Sequence, residues 1–175
     1  QLPYISLAKN YITIRDIENI LQHCLWSRKN PGKLGGKAAG MILAQKILLP
    51  ILDERDPELE EYIRVPDTWF LNSGVFSEFL DRNNLQQFHT HKYKDRETIE
   101  KEFLHIGEKF KFANFAPEVI EDFRKILEEI GTHPIINRSS SMLEDNFGLE
   151  KKKKYLSVFL TNLGDIETRL RNFIV

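Results

Sequence analysis

The sequence contains a single cysteine, Cys24, among its 175 residues. One cysteine excludes an internal disulfide, and low cysteine usage is typical of reducing compartments. We therefore expect a cytoplasmic protein. Because Cys24 lies with apolar Leu21 and Leu25 on one face of a predicted helix, we expect it to be a small buried side chain.

Long hydrophobic runs are also missing. No stretch approaches the roughly 18 apolar residues that a membrane-spanning helix needs. Residues 1–4 do not form a basic segment leading into an apolar one, as a secretory signal would. We expect no membrane partner. The sequence begins without methionine and stops at apolar residues 173–175, so we expect a piece of a longer protein.

The chain has little net charge. Its 25 basic and 26 acidic residues leave a net charge of −1. Nucleic-acid binders normally carry a clear basic excess, so we predict no nucleic-acid partner. The length indicates one domain, or one lobe and part of another, and 41% apolar residues with 12 Phe provide a core.

Residues 35–40 form a glycine-rich turn before an apolar segment. Gly35 and Gly36 have no Cβ to obstruct an approaching ligand. A helix predicted over about 37–48 would present N–H groups and a positive dipole end at its start, where Lys37 adds a full charge. Such a helix start favours phosphate. A tight loop before a packed helix, with a solvated lysine, explains the same residues.

This turn is not a Walker A loop, which requires Gly, four residues, Gly-Lys and then Ser or Thr. Pro31 occupies the position of the first glycine, and Ala38 follows Lys37, so no hydroxyl is available there for Mg²⁺. The preceding residues 26–31 are polar and do not read as a strand.

Periodicity and capping signals predict an α/β chain of the α+β type, rich in helices with a small sheet. Pro50 is predicted to end the helix that follows the glycine turn, or to lie just past its end. Residues 83–94 are predicted to be irregular. Further helices are predicted from Thr13, from Ser73, over 95–111, over 117–130 with Gly131 as C-cap, and from Asp165; strands are predicted over 65–72, 134–138 and 155–160.

A second polar motif, residues 138–141, follows the predicted strand over 134–138. The planar guanidinium of Arg138 is suited to two charge-assisted hydrogen bonds with phosphate oxygens. Alternatively, residues 141–144 form a capping box and Arg138 pairs with a carboxylate close behind it. The combination of Lys37 in a glycine turn with Arg138 at a strand end favours an anion site.

Two other polar features have weaker support. His89 and His91 lie two residues apart, but a metal site needs more ligands than the nearby sequence offers, so we expect a solvated loop and nominate no metal ligand. The four lysines 151–154 either add phosphate affinity or form a solvated loop.

Three segments resemble, in order, the signatures of the PEP/pyruvate-binding, ATP-binding domain: 35–39 (GGKAA), 65–72 (VPDTWFLN) and 136–145 (INRSSSMLED). That domain is the N-terminal part of pyruvate phosphate dikinase, phosphoenolpyruvate synthase, rifampin phosphotransferase and glucan water dikinase. The order and spacing of the signatures agree from about Thr13 to Phe173.

The resemblance implies that residues 1–175 are the N-terminal part of an ATP-grasp domain in an ATP-dependent phosphotransferase. In this family ATP passes a phosphoryl group to a histidine on a separate domain, which serves pyruvate or another acceptor. Lys37 and Arg138 match the residues that bind the phosphates and carry the catalysis. The implied ATP contacts as a set are Gly35, Gly36, Lys37, Arg138, Ser139 and Ser157; Mg²⁺ is implied as well, with its ligands beyond residue 175.

The chain departs from the family after the Glu-Asp pair. The usual Ser-Phe-Ala-Gly loop is absent, and Lys153 stands where the family has a glycine. A non-catalytic nucleotide-binding or regulatory module that has kept the fold is therefore the alternative. A second alternative is a plain α/β interaction domain with Lys37 and Arg138 far apart.

Overall fold

The computed structural model describes residues 3–55, 57–60, 62–63, 65–140 and 157–174. The predicted capping box 141–144 and the lysine run 151–154 lie outside these residues. The chain divides into two compact units. The first comprises Gln1–Leu25, Lys33–Asn72 and Arg138–Leu156, and the second Trp26–Gly32, Ser73–Asn137 and Ser157–Val175.

The first unit is organised around one long helix. In chain order its elements are α1 (Pro3–Tyr11), α2 (Ile14–Gln22), β1 (Cys24–Leu25), α3 (Gly36–Arg55), α4 (Pro57–Glu60) and β2 (Phe70–Leu71). Helix α3 packs against α1 and α4. Strands β1 and β2 are parallel, with Cys24 opposite Phe70, and α3 lies in the long connection that parallel pairing requires.

Helix α2 begins as its sequence predicts, with Thr13 as N-cap. The carboxylate of Asp16 accepts the Thr13 N–H at 2.8 Å, and the Thr13 hydroxyl oxygen accepts the Asp16 N–H at 3.4 Å, which together form a capping box. The Thr13 hydroxyl also donates to the same carboxylate at 2.7 Å. Lys46 of α3 lies 2.5 Å from the same carboxylate, which is buried. These contacts, Lys46 first and then Thr13, lower the pKa of Asp16 from 3.8 to about 2.

We expect Asp16→Asn to lower the stability of the chain at pH 7 but to lose its effect in acid. Because the folded-state pKa of Asp16 lies below its ordinary value of 3.8, its contribution is complete above about pH 4 and fades towards pH 2. Urea unfolding midpoints at pH 7, 5, 3 and 2 test this. Glu97→Gln, in an exposed pair with Lys101, is the control and should shift the midpoint little. A wild-type advantage over Asp16→Asn that persists unchanged at pH 2 would contradict the expectation.

The second unit combines helices with a two-stranded sheet. Its elements are α5 (Ser73–Arg82), a 3₁₀ helix (Gln86–Tyr93), α6 (Arg96–Lys111), α7 (Pro117–Ile130), β3 (Ile135–Arg138), β4 (Ser157–Leu160) and α8 (Ile166–Ile174). Strands β3 and β4 pair, and α7 packs against α8. The last residue of β3, Arg138, already belongs to the first unit.

The core of the second unit contains a chain of phenylalanine rings. Phe79 lies 5.8 Å from Phe110 and 4.7 Å from Phe115, measured between ring centroids. Phe123 continues the chain, at 5.2 Å from Phe115 and 5.1 Å from Phe173. The tilted and edge-on geometry is the arrangement that aromatic pairs prefer. This cluster joins α5, α6, α7 and α8.

Local end signals place most helix boundaries of the second unit as predicted. The side chain of Asp95 accepts the Thr98 N–H at 2.9 Å at the start of α6, and that of Asp165 accepts the Thr168 N–H at 2.8 Å before α8. Pro117 is the first residue of α7, and Gly131, at φ +67°, caps its end. The helix-rich α+β class is therefore confirmed, with two small sheets in place of one.

Four local predictions differ from the structure. Pro50 does not end α3, which continues to Arg55 and packs against α1 and α4. Tertiary packing of this kind often outweighs the local preference of a residue. Cys24 is buried as predicted but lies in β1, because α2 ends at Gln22. The strand predicted over 65–72 is reduced to Phe70–Leu71, and the irregular 83–94 contains the 3₁₀ helix.

Candidate functional site

The glycine turn is the start of α3, as predicted. The Ala39 N–H donates to the Gly35 carbonyl at 3.1 Å, so Gly35 occupies the N-cap position and Gly36 is the first helical residue. An N-cap side chain normally accepts the N–H of the second or third helical residue. Glycine has no side chain to do this, so α3 needs its capping oxygen from another part of the chain.

Ser140 supplies that oxygen. Its hydroxyl accepts the N–H of Ala38, the third helical residue, at 3.1 Å, across 102 positions of sequence. The residue that caps α3 thus belongs to the segment 138–140 that follows β3. This bond joins the two polar motifs that the sequence analysis identified separately.

The backbone of Ser140 also lies against Gly35. A Cβ added at Gly35 would be 2.0 Å from the Ser140 carbonyl oxygen and 2.3 Å from its hydroxyl oxygen. Both distances are far below any normal contact, so only glycine fits at this position. The sequence analysis predicted that the absence of a Cβ at Gly35 leaves room for a ligand. In the structure, Ser140 occupies that room.

The contact of Ser140 with Gly35 and Ala38 is called the junction below. The two cationic candidates, Lys37 and Arg138, lie next to it in sequence. Lys37 is the second residue of α3 and is half-buried, between the Gly35 and Ala38 contacts to Ser140. Arg138, the last residue of β3, and Ser139 are exposed and directly precede Ser140. All of them belong to the first unit. This placement brings the segments that carry the two cations together, and the binding of one ligand by both side chains stays a prediction.

Ser157 is the remaining site candidate. It is the exposed first residue of β4 and belongs to the second unit. Its nucleotide contact therefore stays a prediction.

Cys24 and the histidine pair are the remaining titratable candidates. Burial raises the pKa of the Cys24 thiol to about 11, so it is not a thiolate near neutral pH. His89 and His91 lie within the 3₁₀ helix Gln86–Tyr93. Across the described ranges, no three His, Cys, Asp or Glu side chains form a group that would hold a metal ion. None of the described helices combines the length and apolarity of a membrane span.

A polar cleft in the second unit is lined by Lys29, Asn30, Glu78, Asp81 and Arg82. Hydrogen bonds and an ion pair connect some of these residues to one another and to Ser27. Buried Glu78 accepts the Ser27 hydroxyl at 2.8 Å and lies 3.6 Å from the Lys29 ammonium. The Ser27 hydroxyl in turn accepts the Lys29 and Asn30 N–H groups at 3.1 and 2.9 Å. These contacts fix the turn that precedes the glycine loop.

The sequence analysis placed Ser140 in the polar motif 138–141 but did not predict that it caps α3. The available signal was indirect: a helix whose N-cap is glycine needs an external acceptor for its first N–H groups. Three successive serines, 139–141, offered such an acceptor. Nothing in the sequence shows which of them reaches α3.

The chain matches a known protein family. The family described as the pyruvate phosphate dikinase AMP/ATP-binding domain matches residues 32–173, which include the glycine turn, the Val-Pro segment and the Arg-Ser-Ser segment. No curated protein and no solved structure matches the chain. Since the family match covers most of the chain, this chain belongs to the family of pyruvate phosphate dikinase AMP/ATP-binding domains.

Proposed function

We propose that this chain is the ATP-binding lobe of an ATP-dependent phosphotransferase, with Lys37 and Arg138 as the residues that bind the phosphates. The identity of the nucleotide is inferred from the family, whose description is an AMP/ATP-binding domain. The observation that carries the assignment of residues is the bond between Ala38 and Ser140, which sets the Arg138 segment beside the Lys37 turn.

The residues at the junction suit a polyphosphate. The start of α3 presents the positive end of a 20-residue helix. Lys37 contributes a compact charge, and Arg138 a planar fork of donors, so the two side chains complement one another. Gly36 and the exposed Ser139 hydroxyl complete the set of groups proposed to contact ATP.

Bound here, ATP supplies the phosphoryl group, and the chain supplies orientation and positive charge. Lys37 and Arg138 lower the repulsion between phosphate oxygens and align the triphosphate for in-line attack. The acceptor is a histidine on another domain of the same longer protein, which then serves pyruvate or a similar acceptor. This lobe by itself catalyses nothing.

The same proposal covers the metal and the location. Mg²⁺ accompanies ATP, and its carboxylate ligands belong to a later part of the protein, as the family resemblance implies. A lone buried cysteine is compatible with the cytoplasm, and a net charge of −1 with a protein that binds neither nucleic acid nor membranes.

We expect Lys37→Ala and Arg138→Ala each to weaken binding of ATP·Mg²⁺ by about tenfold or more. A hydrogen bond to a charged group contributes about 1.5–3 kcal/mol, and about 1.4 kcal/mol corresponds to tenfold in affinity. Isothermal titration calorimetry of the intact protein that contains this chain measures the effect.

Arg96→Ala and Lys101→Ala are matched controls for these two variants. They remove one arginine and one lysine from exposed pairs on α6, whose contribution is small. Both should bind ATP·Mg²⁺ as the wild type does. Unchanged affinity in both Lys37→Ala and Arg138→Ala would end the assignment.

A non-catalytic nucleotide-binding module is the second candidate. The observation in its favour is the sequence 148–155, which replaces the family's Ser-Phe-Ala-Gly loop with a lysine-rich one. Incubating the intact protein with labelled ATP and assaying acid-labile phosphate on histidine separates the two candidates. Label on histidine supports the enzyme, and ATP binding without label supports the module.

A further inference from the structure

We propose that Ser140 is a positioning residue for this phosphate site: its hydroxyl caps α3 and so holds the Arg138 segment against the Lys37 turn before ATP arrives. The inference rests on the proposed function and gives a role to a residue that lies within the signature 136–145 but is not among the implied ATP contacts. Ser140 itself need not touch the nucleotide.

Ser140 contacts the first turn of α3 through both its side chain and its backbone. Its hydroxyl accepts the Ala38 N–H at 3.1 Å, and its carbonyl oxygen lies 2.0 Å from the place where a Cβ of Gly35 would be. Both the side chain and the backbone of Ser140 are therefore fixed by the first turn of α3. Lys37 lies between these two points of contact, and Arg138 is two residues before Ser140.

The hydroxyl matters because it is the acceptor that the structure shows for the Ala38 N–H. Gly35 offers no side-chain acceptor, and the Gly35 carbonyl is already used by the Ala39 N–H at 3.1 Å. Without the Ser140 hydroxyl the contact retains only its backbone half. The segment carrying Arg138 then loses its directional bond to α3.

A site whose two cations are held in place before binding loses less conformational entropy when the ligand binds. Removal of an N-cap hydroxyl typically costs a free energy that corresponds to about a fivefold change in an equilibrium constant. We therefore expect Ser140→Ala to weaken ATP·Mg²⁺ binding about fivefold, and Ser140→Thr, which keeps the hydroxyl, to stay within about twofold of the wild type.

The experiment compares four forms of the intact protein: wild type, Ser140→Ala, Ser140→Thr and Thr13→Ala. Thr13→Ala is the matched control, because it removes the N-cap hydroxyl of α2 in the same unit and should leave ATP affinity unchanged. Calorimetry with ATP·Mg²⁺ gives the affinities. Hydrogen exchange of the Ala38 amide gives a second readout, expected to be faster in Ser140→Ala alone.

Equal affinity in Ser140→Ala and wild type would overturn this inference while leaving the proposed function standing. An equal loss in Ser140→Thr and Ser140→Ala, or in Thr13→Ala and Ser140→Ala, would also overturn it. Absence of ATP·Mg²⁺ binding in the wild type would overturn the proposed function and this inference with it. Should Ser140→Ala not fold, Ser140→Cys replaces it, since a thiol keeps the size but is a weak acceptor.

Discussion

Gly35→Ala is expected to destabilise the chain by about 3 kcal/mol, the upper part of the range for overpacking a tight site. The new methyl group would lie 2.0 Å from the carbonyl oxygen of Ser140, a backbone atom that cannot rotate away. Relief of the clash requires the segment after β3 to move off α3, which breaks the bond from the Ala38 N–H to Ser140. Stability and ATP affinity should therefore fall together.

Gly40→Ala provides the matched control, five residues further along the same helix. Gly40 lies inside α3, and a Cβ there would have no neighbour within 4 Å. Alanine in a helix interior is favoured over glycine by up to about 1 kcal/mol, so this variant should be more stable than the wild type. Equal effects of the two substitutions would show that the contact with Ser140 does not restrict Gly35.

The two tryptophans allow the unfolding of each unit to be followed separately. Trp69 belongs to the first unit and Trp26 to the second. In a Trp26→Phe background, urea unfolding monitored by Trp69 fluorescence reports on the unit that contains Gly35 and Gly40. The expected result is a lower midpoint for Gly35→Ala and a higher one for Gly40→Ala.

Phe123→Ala is expected to destabilise the second unit by about 3–5 kcal/mol, the usual cost of removing a buried aromatic ring. The Phe123 side chain is 2% exposed and lies between the rings of Phe115 and Phe173. Its removal leaves a cavity where α7 meets α8 and takes away both ring contacts. Among the described residues, Phe123 is the largest side chain that is fully buried.

Phe103→Ala is the control for Phe123→Ala, because it makes the same chemical change at a side chain that is 70% exposed on α6. It should shift stability by no more than about 0.5 kcal/mol. Trp26 fluorescence in a Trp69→Phe background measures both variants. A similar loss in the two would contradict the ring cluster as the core of the second unit.

The parts of the fold that could be predicted are those specified by neighbouring residues. The capping box of Thr13 and Asp16 and the Pro117 and Gly131 ends of α7 depend on residues a few positions apart, so the sequence displays them directly. The pairing of β1 with β2 involves two residues on each side, too few to leave a periodic signal. The prediction that Pro50 ends α3 was wrong, because the local preference of proline does not include the packing of α3 against α1 and α4.

The candidate site shows the same difference between features set by neighbouring residues and features set by distant ones. Lys37 and Arg138 were predicted because charged residues beside a glycine turn and at a strand end have a recognisable use. The bond that brings their segments together was not predicted, because it joins Ala38 to Ser140 across 102 positions. The reason for Gly35 was also incomplete: the sequence required a small residue there, and the structure identifies the Ser140 backbone as the neighbour.

That long-range bond determines when the nucleotide turn can be finished during synthesis. The first unit needs its third segment, which starts at Arg138, so nascent chains that stop short of Ser140 carry a glycine turn with no cap. Domains on the ribosome usually fold from the N-terminus as each is completed. Here the earliest segments must wait until the whole stretch 73–137 has emerged, and a chain released before that point lacks the residue that closes α3.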